Sequence, residues 1–298
     1  MSIICTVILC LCVSLAKTQC PSDGRVLEPC HCTSTREGGD ELSCFGPIGL
    51  VNLTTILRNK MCGRTLDRFK LTLSDIEYLP SNLFFKIIVR DIQISFTSIS
   101  HFTKGGTSAF FGLESHLLSL SMRRGRLVDN LQWQKIGDLH ALTYLDLSFN
   151  NLTKIPQQWF HHPPPNLLSL ILKGNKIRTL ESGALKHMHE LIELDLSDNQ
   201  ISTITRDVFP FPGNALIFLR LNDNQLRELP LDLFDEMMGL RRIYMDNNQL
   251  EDIPYKLWGP MWGDLEILDL SGNLVDCNAS SVEWIKEVLP PLHLYGSC

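Results

Sequence analysis

From about residue 66 onward, apolar and polar positions follow one rule: apolar-x-x-apolar-x-apolar-x-x-Asn-x-apolar. LTYLDLSFNNL at 142–152 is one copy, and LIELDLSDNQI, LIFLRLNDNQL and LEILDLSGNLV follow it. The first position falls at Leu142, Leu167, Leu191, Leu216, Leu240 and Leu265, a spacing of 24 or 25 residues. The ninth position is then Asn150, Asn175, Asn199, Asn224, Asn248 and Asn273. Stepping backwards adds Leu117, Val89 and Leu66, where the ninth place holds Gly125, Thr97 and Ser74. Nine units therefore tile residues 66–276.

The x-L-x-L-x part of each unit alternates with period two, so its leucines share one face of a short strand. One such strand cannot bury that face alone. Stacked copies can, and they predict a parallel sheet bent into a solenoid, about 40 Å long for nine strands. After each strand the chain turns away and leaves backbone donors and acceptors facing the interior. An asparagine carries both a carbonyl and an amide, so it can serve its own coil and the adjacent one. The six asparagines thus predict a ladder. The three front units, with Gly, Thr and Ser in that place, are expected to be less regular.

The second half of each unit is patterned too: LTKIPQQWF, LRELPLDLF, LEDIPYKLW and, near the front, IEYLPSNLF. Proline breaks helix and favours turns, while the aliphatic before it and the aromatic after it point inward. The convex side should be loops and short helical turns, with HHPPPN at 161–166 a stiff loop. The whole pattern is that of the leucine-rich repeat, and the chain resembles that family over nearly all its length beyond residue 16. The resemblance implies an α/β repeat fold, with a curved parallel sheet inside and loops and short helices outside.

The two ends differ from the middle. MSIICTVILCLCVSLA at 1–16 carries no charge and ends in Ser-Leu-Ala, as a secretory signal does. It lacks a basic start, and the alternative is an uncleaved membrane anchor, for which about 20 apolar residues are wanted. Cleavage near Ala16 leaves seven cysteines. Cys20, Cys30, Cys32, Cys44 and Cys62 crowd the front, Cys277 and Cys298 the end, and none lies between. In an exported chain this reads as disulfide-bonded caps at 17–65 and 277–298. Four front cysteines allow three connectivities. The front segment resembles the cysteine-rich N-terminal flank of extracellular leucine-rich repeat proteins, which implies Cys20–Cys32 and Cys30–Cys44. Cys62 is left odd: a buried free thiol is the plainer reading, a covalent partner the sharper one. CNASSVEWIKEVL resembles the C-terminal flank, with a helix started by a Ser280/Glu283 capping box and an apolar face of Val282, Ile285 and Leu289. That flank usually carries more cysteines. Either a single bridge, Cys277–Cys298, closes the cap, or the chain is truncated.

The front half, including FKLTLSDIEYLPSNLF, also resembles secreted arthropod leucine-rich repeat proteins. Among these are relatives of the non-catalytic subunit of a luciferin monooxygenase. That resemblance implies a role beside another protein, including a heteromer with an enzyme subunit, without chemistry of its own.

The sequence shows no motif for a nucleophile elbow, a zinc protease or a phosphate loop, and calls for no cofactor or metal. His161-His162 and His187-x-His189 fall in convex segments and read as exposed histidines. Asp146 and Asp195, on an open sheet, read as solvated surface. A net charge of −6 argues against nucleic acid as partner. The sequons at Asn52, Asn151 and Asn278 are glycosylation candidates. Phe218, Arg220, Arg242 and Tyr244 fall on outward positions of adjacent strands, joined on the same face by Tyr144 and Phe149. Aromatic and arginine side chains dominate interface hot spots. The expectation is a secreted, extracellular, non-enzymatic protein with no membrane span after cleavage. It would bind a protein partner on its concave face, as a free binder, an accessory subunit or a receptor ectodomain fragment.

Overall fold

A computed structural model describes residues 20–21, 27–34, 39–74, 76–99, 102–103, 105–129, 132–276, 278–287 and 293–296. The 1–16 leader, the Cys277–Cys298 alternative and Leu289 lie outside them. One twelve-stranded sheet runs the length of the molecule. It starts with an antiparallel hairpin, Cys30–Ser34 with Asp40–Phe45. Every later neighbour is parallel, through the nine repeat strands to a last strand at His293–Tyr295. The register advances by one repeat per strand, so Leu145, Leu170, Leu194, Leu219, Ile243 and Leu268 stand side by side and fully buried.

Opposite the sheet lie 3₁₀ turns at Trp133–Ile136, Gln157–Phe160 and Arg206–Val208, and a helical turn at Tyr255–Trp258. The aromatics after each proline turn inward: Phe84, Trp159, Phe160, Phe234 and Trp258 are all buried. In the front half they join a continuous run of rings. Phe69, Phe84, Phe110, Phe102, Trp133, Trp159 and Phe160 follow one another at centroid distances of 4.8–6.4 Å.

The asparagine ladder forms. Asn199 Nδ2 donates to Leu196 O in its own coil (3.0 Å) and to Leu172 O in the preceding coil (3.1 Å). Its Oδ1 accepts from Ile177 N (3.0 Å), also in the preceding coil. Asn175, Asn224, Asn248 and Asn273 repeat the pattern one coil at a time. Asn150, at the junction with the front units, accepts from both Gly125 N and Leu127 N. Gly125 has no side chain because the backbone runs close to the neighbouring coil: a Cβ there would lie 2.7 Å from Thr97 O.

The front units depart from expectation. Their strands are the longest of the repeats, eight residues each at Thr65–Thr72 and Ile88–Ser95, against three in most later ones. A hydroxyl has one donor where an amide has two. Ser74 Oγ donates to Gly46 O in the preceding turn, Thr97 Oγ1 donates to Ser95 O and accepts from Ser74 N at 3.3 Å, and the longer strand ladder adds the rest of the hold between these coils.

A second constraint escaped the sequence pattern. The residue before the ladder position is left-handed in all nine repeats: Leu73, Phe96, Arg124, Phe149, Gly174, Asp198, Asp223, Asn247 and Gly272, with φ from 51° to 69°. Glycine, asparagine and aspartate visit this region readily, whereas leucine, phenylalanine and arginine do so at a cost of about 1–2 kcal/mol.

The disulfides Cys20–Cys32 and Cys30–Cys44 tie the N-terminal hairpin. Cys62 is disulfide-bonded, so the free-thiol reading is corrected; its partner lies outside the described residues. At the far end the N-cap is Ala279, one residue before the Ser280 expected to start the helix. Ala279 makes no side-chain cap bond, and the 3₁₀ turn Ser280–Lys286 is held by packing. Val282 is buried, and Trp284 Nε1 donates to Ile253 O at 2.8 Å while its ring meets Trp262 and Tyr255.

Two outcomes test this scheme. Asn199→Asp keeps the acceptor for Ile177 but loses both donations, so urea denaturation should show a loss of about 2–4 kcal/mol. Leu73→Gly should stabilise by about 1 kcal/mol in the same assay, because it relieves a left-handed leucine whose side chain is half in water.

Candidate partner-binding surface on the concave sheet

The outward positions of the seventh and eighth strands hold a compact group. Phe218 sits beside Arg242, and Arg220 beside Tyr244, in register. The Arg242 guanidinium lies 5.0 Å from the Phe218 ring centre and that of Arg220 lies 5.5 Å from the Tyr244 ring centre. Two carboxylates close the arrangement from either side. Glu193 accepts from Arg220, and Glu266 accepts from Arg242 Nε at 2.9 Å. All four side chains of the group are half-buried. Each exposed cation–π contact contributes about 0.5–1 kcal/mol and each surface ion pair less. Their joint effect is to hold two flat rings and two guanidinium groups in fixed positions before anything binds, which lowers the ordering cost of association.

Tyr144 and Phe149 lie elsewhere. Tyr144 is on the fourth repeat strand, three strands from Phe218, or roughly 14 Å away. Its hydroxyl donates to Asp146 Oδ2 at 3.1 Å, and burial followed by the charge of Asp146 raises its pKa. Phe149 is not on a strand but in the left-handed turn at the sheet's rim.

The aspartates are corrected. Asp146 is 1% exposed and Asp195 8%, so neither is solvated surface. Asp146 Oδ1 accepts from Ser148 N, Asp195 Oδ1 from Ser197 N and Asp269 Oδ1 from Ser271 N, each at 2.9–3.0 Å. The recurring Asp-Leu-Ser is therefore a turn cap at the strand's end. Arg123 covers Asp146 and pairs with it. The signal lay in the repeated LDLS itself, which the leucine count subsumed.

The front of the concave face is charged and self-neutralised. Arg68 bridges Glu41 and Asp91, Lys70 joins Glu41 at 2.9 Å, and Arg90 pairs with Asp67 at 2.7 Å. On the convex side, the two histidine pairs from successive repeats meet in one exposed row. His161 lies 4.6 Å from His162 and 5.6 Å from His187, which is 6.4 Å from His189, centre to centre. Slight burial, then the charges of its neighbours, lowers the His187 pKa. Among the described residues no group of three or more His, Cys, Asp or Glu is placed to hold a metal. Asn52 and Asn278 are exposed and Asn151 half-buried. None of the helices among the described residues is long and apolar enough to cross a membrane.

Family models for leucine-rich repeats match residues 165–211, 193–250 and 141–162. The human leucine-rich repeats and immunoglobulin-like domains protein 1 is 29% identical over 159 residues, which is 52% of this chain and 13% of that protein. A chain of the Drosophila Toll–Spatzle complex superposes with a TM-score of 0.66 at 22% identity, over 79% of this chain and 30% of its own. A chain of the octameric complex of Latrophilin 3, Unc5D and FLRT2 does so at 0.61 and 21%, over 80% and 78%. An internalin of Listeria monocytogenes gives 0.58 and 19%, over 85% and 66%. At these identities the likeness is one of fold: the chain is a leucine-rich-repeat solenoid, and it spans a small part of the curated relative it matches. The arthropod resemblance draws nothing from these relatives.

Asp146→Ala leaves Ser148 N and the Arg123 guanidinium without their acceptor and should cost about 2–3 kcal/mol in a urea melt. Asp198→Asn, at an exposed left-handed position that suits either residue, should change stability by less than about 0.5 kcal/mol.

Proposed function

We propose that this leucine-rich-repeat protein is an extracellular, non-enzymatic binder whose protein partner docks on the concave face around Phe218, Arg220, Arg242 and Tyr244. The observation that carries the reading is the pair of cation–π contacts on neighbouring strands, clamped by Glu193 and Glu266. Core packing gives no reason for this group, since the leucines beneath it are already buried. Aromatic and arginine anchors of this type form the centres of protein interfaces. The front disulfides support an extracellular site of action. The named solved relatives support a protein partner, because two of them were determined within protein complexes.

Secretion behind the 1–16 leader, and glycans at Asn151, Asn278 and Asn52, belong to the same reading. A receptor-ectodomain fragment is the alternative form of the same proposal. The accessory-subunit form rests on the arthropod resemblance alone.

Crosslinking and mass spectrometry on the native secretion should identify the partner. Arg242→Ala with Tyr244→Ala should then weaken that partner's binding by over about 1 kcal/mol in a titration. The melting temperature should stay within about 2 °C of wild type. Unchanged affinity removes the concave patch from the interface.

A further inference from the structure

The left-handed turns form a ridge along one rim of the sheet, and its two halves differ in kind. In the first four repeats the ridge carries Leu73, Phe96, Arg124 and Phe149, all exposed. The Arg124 guanidinium is held between two rings, 5.4 Å from the centre of Phe96 and 5.0 Å from that of Phe149. Arg126 is exposed two residues further on. In the sixth and seventh repeats the same position carries Asp198 and Asp223, and Asp246 borders it. Burial, with Asp269 and Asp223 nearby, raises the Asp246 pKa.

Four features single this ridge out. Its apolar members occupy a backbone conformation that disfavours them, whereas the later repeats fill the same place with Asp, Asn and Gly at no such cost. Its charges lack an opposite charge: among the described residues, none of Arg124, Arg126, Asp198 and Asp223 belongs to an ion pair, and the Asp223 carboxylate accepts only from the neutral amides of Asn222 and Asn247. They cannot neutralise each other within one chain, because four coils separate Arg124 from Asp223, roughly 19 Å, and salt screens beyond about 8 Å. Finally, Gly174 stands midway, half-buried beneath the Phe149 ring, which a Cβ there would strike at 2.4 Å.

We propose that a second copy of this chain docks along the ridge, antiparallel, about a two-fold axis at Gly174. That symmetry places Arg124 of each copy against Asp223 of the other, and Leu73 against Leu274, which is 62% exposed. The basic, aromatic half of one ridge thus meets the acidic half of its mate, twice. A ridge about 40 Å long and 12 Å wide buries roughly 1,000 Å² in total, at the low end for specific association. The dimer is therefore weak, dissociating at roughly 1–100 µM, and falls apart as salt is raised. It leaves the Phe218–Tyr244 group free for the partner proposed above.

Sedimentation velocity on the purified full chain tests this from about 1 to about 200 µM. The sequon at Asn151 borders the ridge, so the series is run on the secreted protein as purified and again after enzymatic removal of N-glycans, with the dimer expected in both. Wild type should pass from monomer to dimer. Phe96→Asn with Phe149→Asn should remain monomeric without a lowered melting temperature, since Asn247 occupies the same position in the eighth repeat. Arg124→Asp and Asp223→Arg should each weaken the dimer about tenfold or more, and the two together in one chain should restore it. Arg242→Ala with Tyr244→Ala should leave it unchanged. A wild type that stays monomeric throughout, a dimer indifferent to the two asparagine substitutions, or a double charge reversal that fails to restore association overturns the proposal.

Discussion

The solenoid depends on one asymmetry of the amide side chain: it donates twice and accepts through the same group. Each strand end leaves a carbonyl facing inward, and each following turn leaves an N–H. An asparagine reaching from one coil closes both of its neighbour's open groups and one of its own. Leucines alone could bury area, but area is indifferent to register. The amide contacts exist only when adjacent coils are in step, so they convert a greasy stack into a defined one. Where the amide is missing, in the first three units, longer strands take over that task through backbone pairing.

How much of this was legible in the letters follows from what each constraint looks like in sequence. The strands, their order and the ladder were readable because leucine and asparagine recur at fixed places, and each does one thing there. The left-handed turn was not, because six residue types occupy it and only five of the nine positions hold Gly, Asn or Asp. A backbone angle leaves a compositional trace only where the residues that favour it occupy it. Asp146 and Asp195 were misplaced for a related reason. Strand alternation correctly put them on the outward face, but it says nothing of the serine amide two residues on, nor of Arg123 lying across. Cys62 was misjudged by counting parity in a set of seven.

The concave group was half legible. That Phe218, Arg220, Arg242 and Tyr244 would touch followed from alternation and the 24-residue step. Tyr144 and Phe149 were pooled with them by face alone, and the structure separates all three places: mid-sheet, three strands away, and rim. The carboxylates that fix the guanidinium groups, Glu193 and Glu266, were visible only once the register was known, since one is a strand residue and the other precedes its strand. The resulting surface is uneven along its length. A front of ion pairs alone gives way to a back patch in which two rings lie against paired arginines, so a ligand lying on the inner face meets chemically distinct regions in a set order.

The file of buried rings on the convex side has an optical consequence. Trp133 and Trp159 come from successive repeats, and their indoles lie 4.8 Å apart at an interplanar angle of 39°. Two chromophores that near, tilted and locked, share their excited states and give a paired circular-dichroism band that neither gives alone. Their share of that band lasts while the third and fourth coils remain docked, beside the share of the Trp262–Trp284 pair, 4.7 Å apart at the far end. The change in that band on replacing Trp159 by Phe is thus an intrinsic gauge of the junction where the long-stranded front meets the amide-held back, readable in solution without a label.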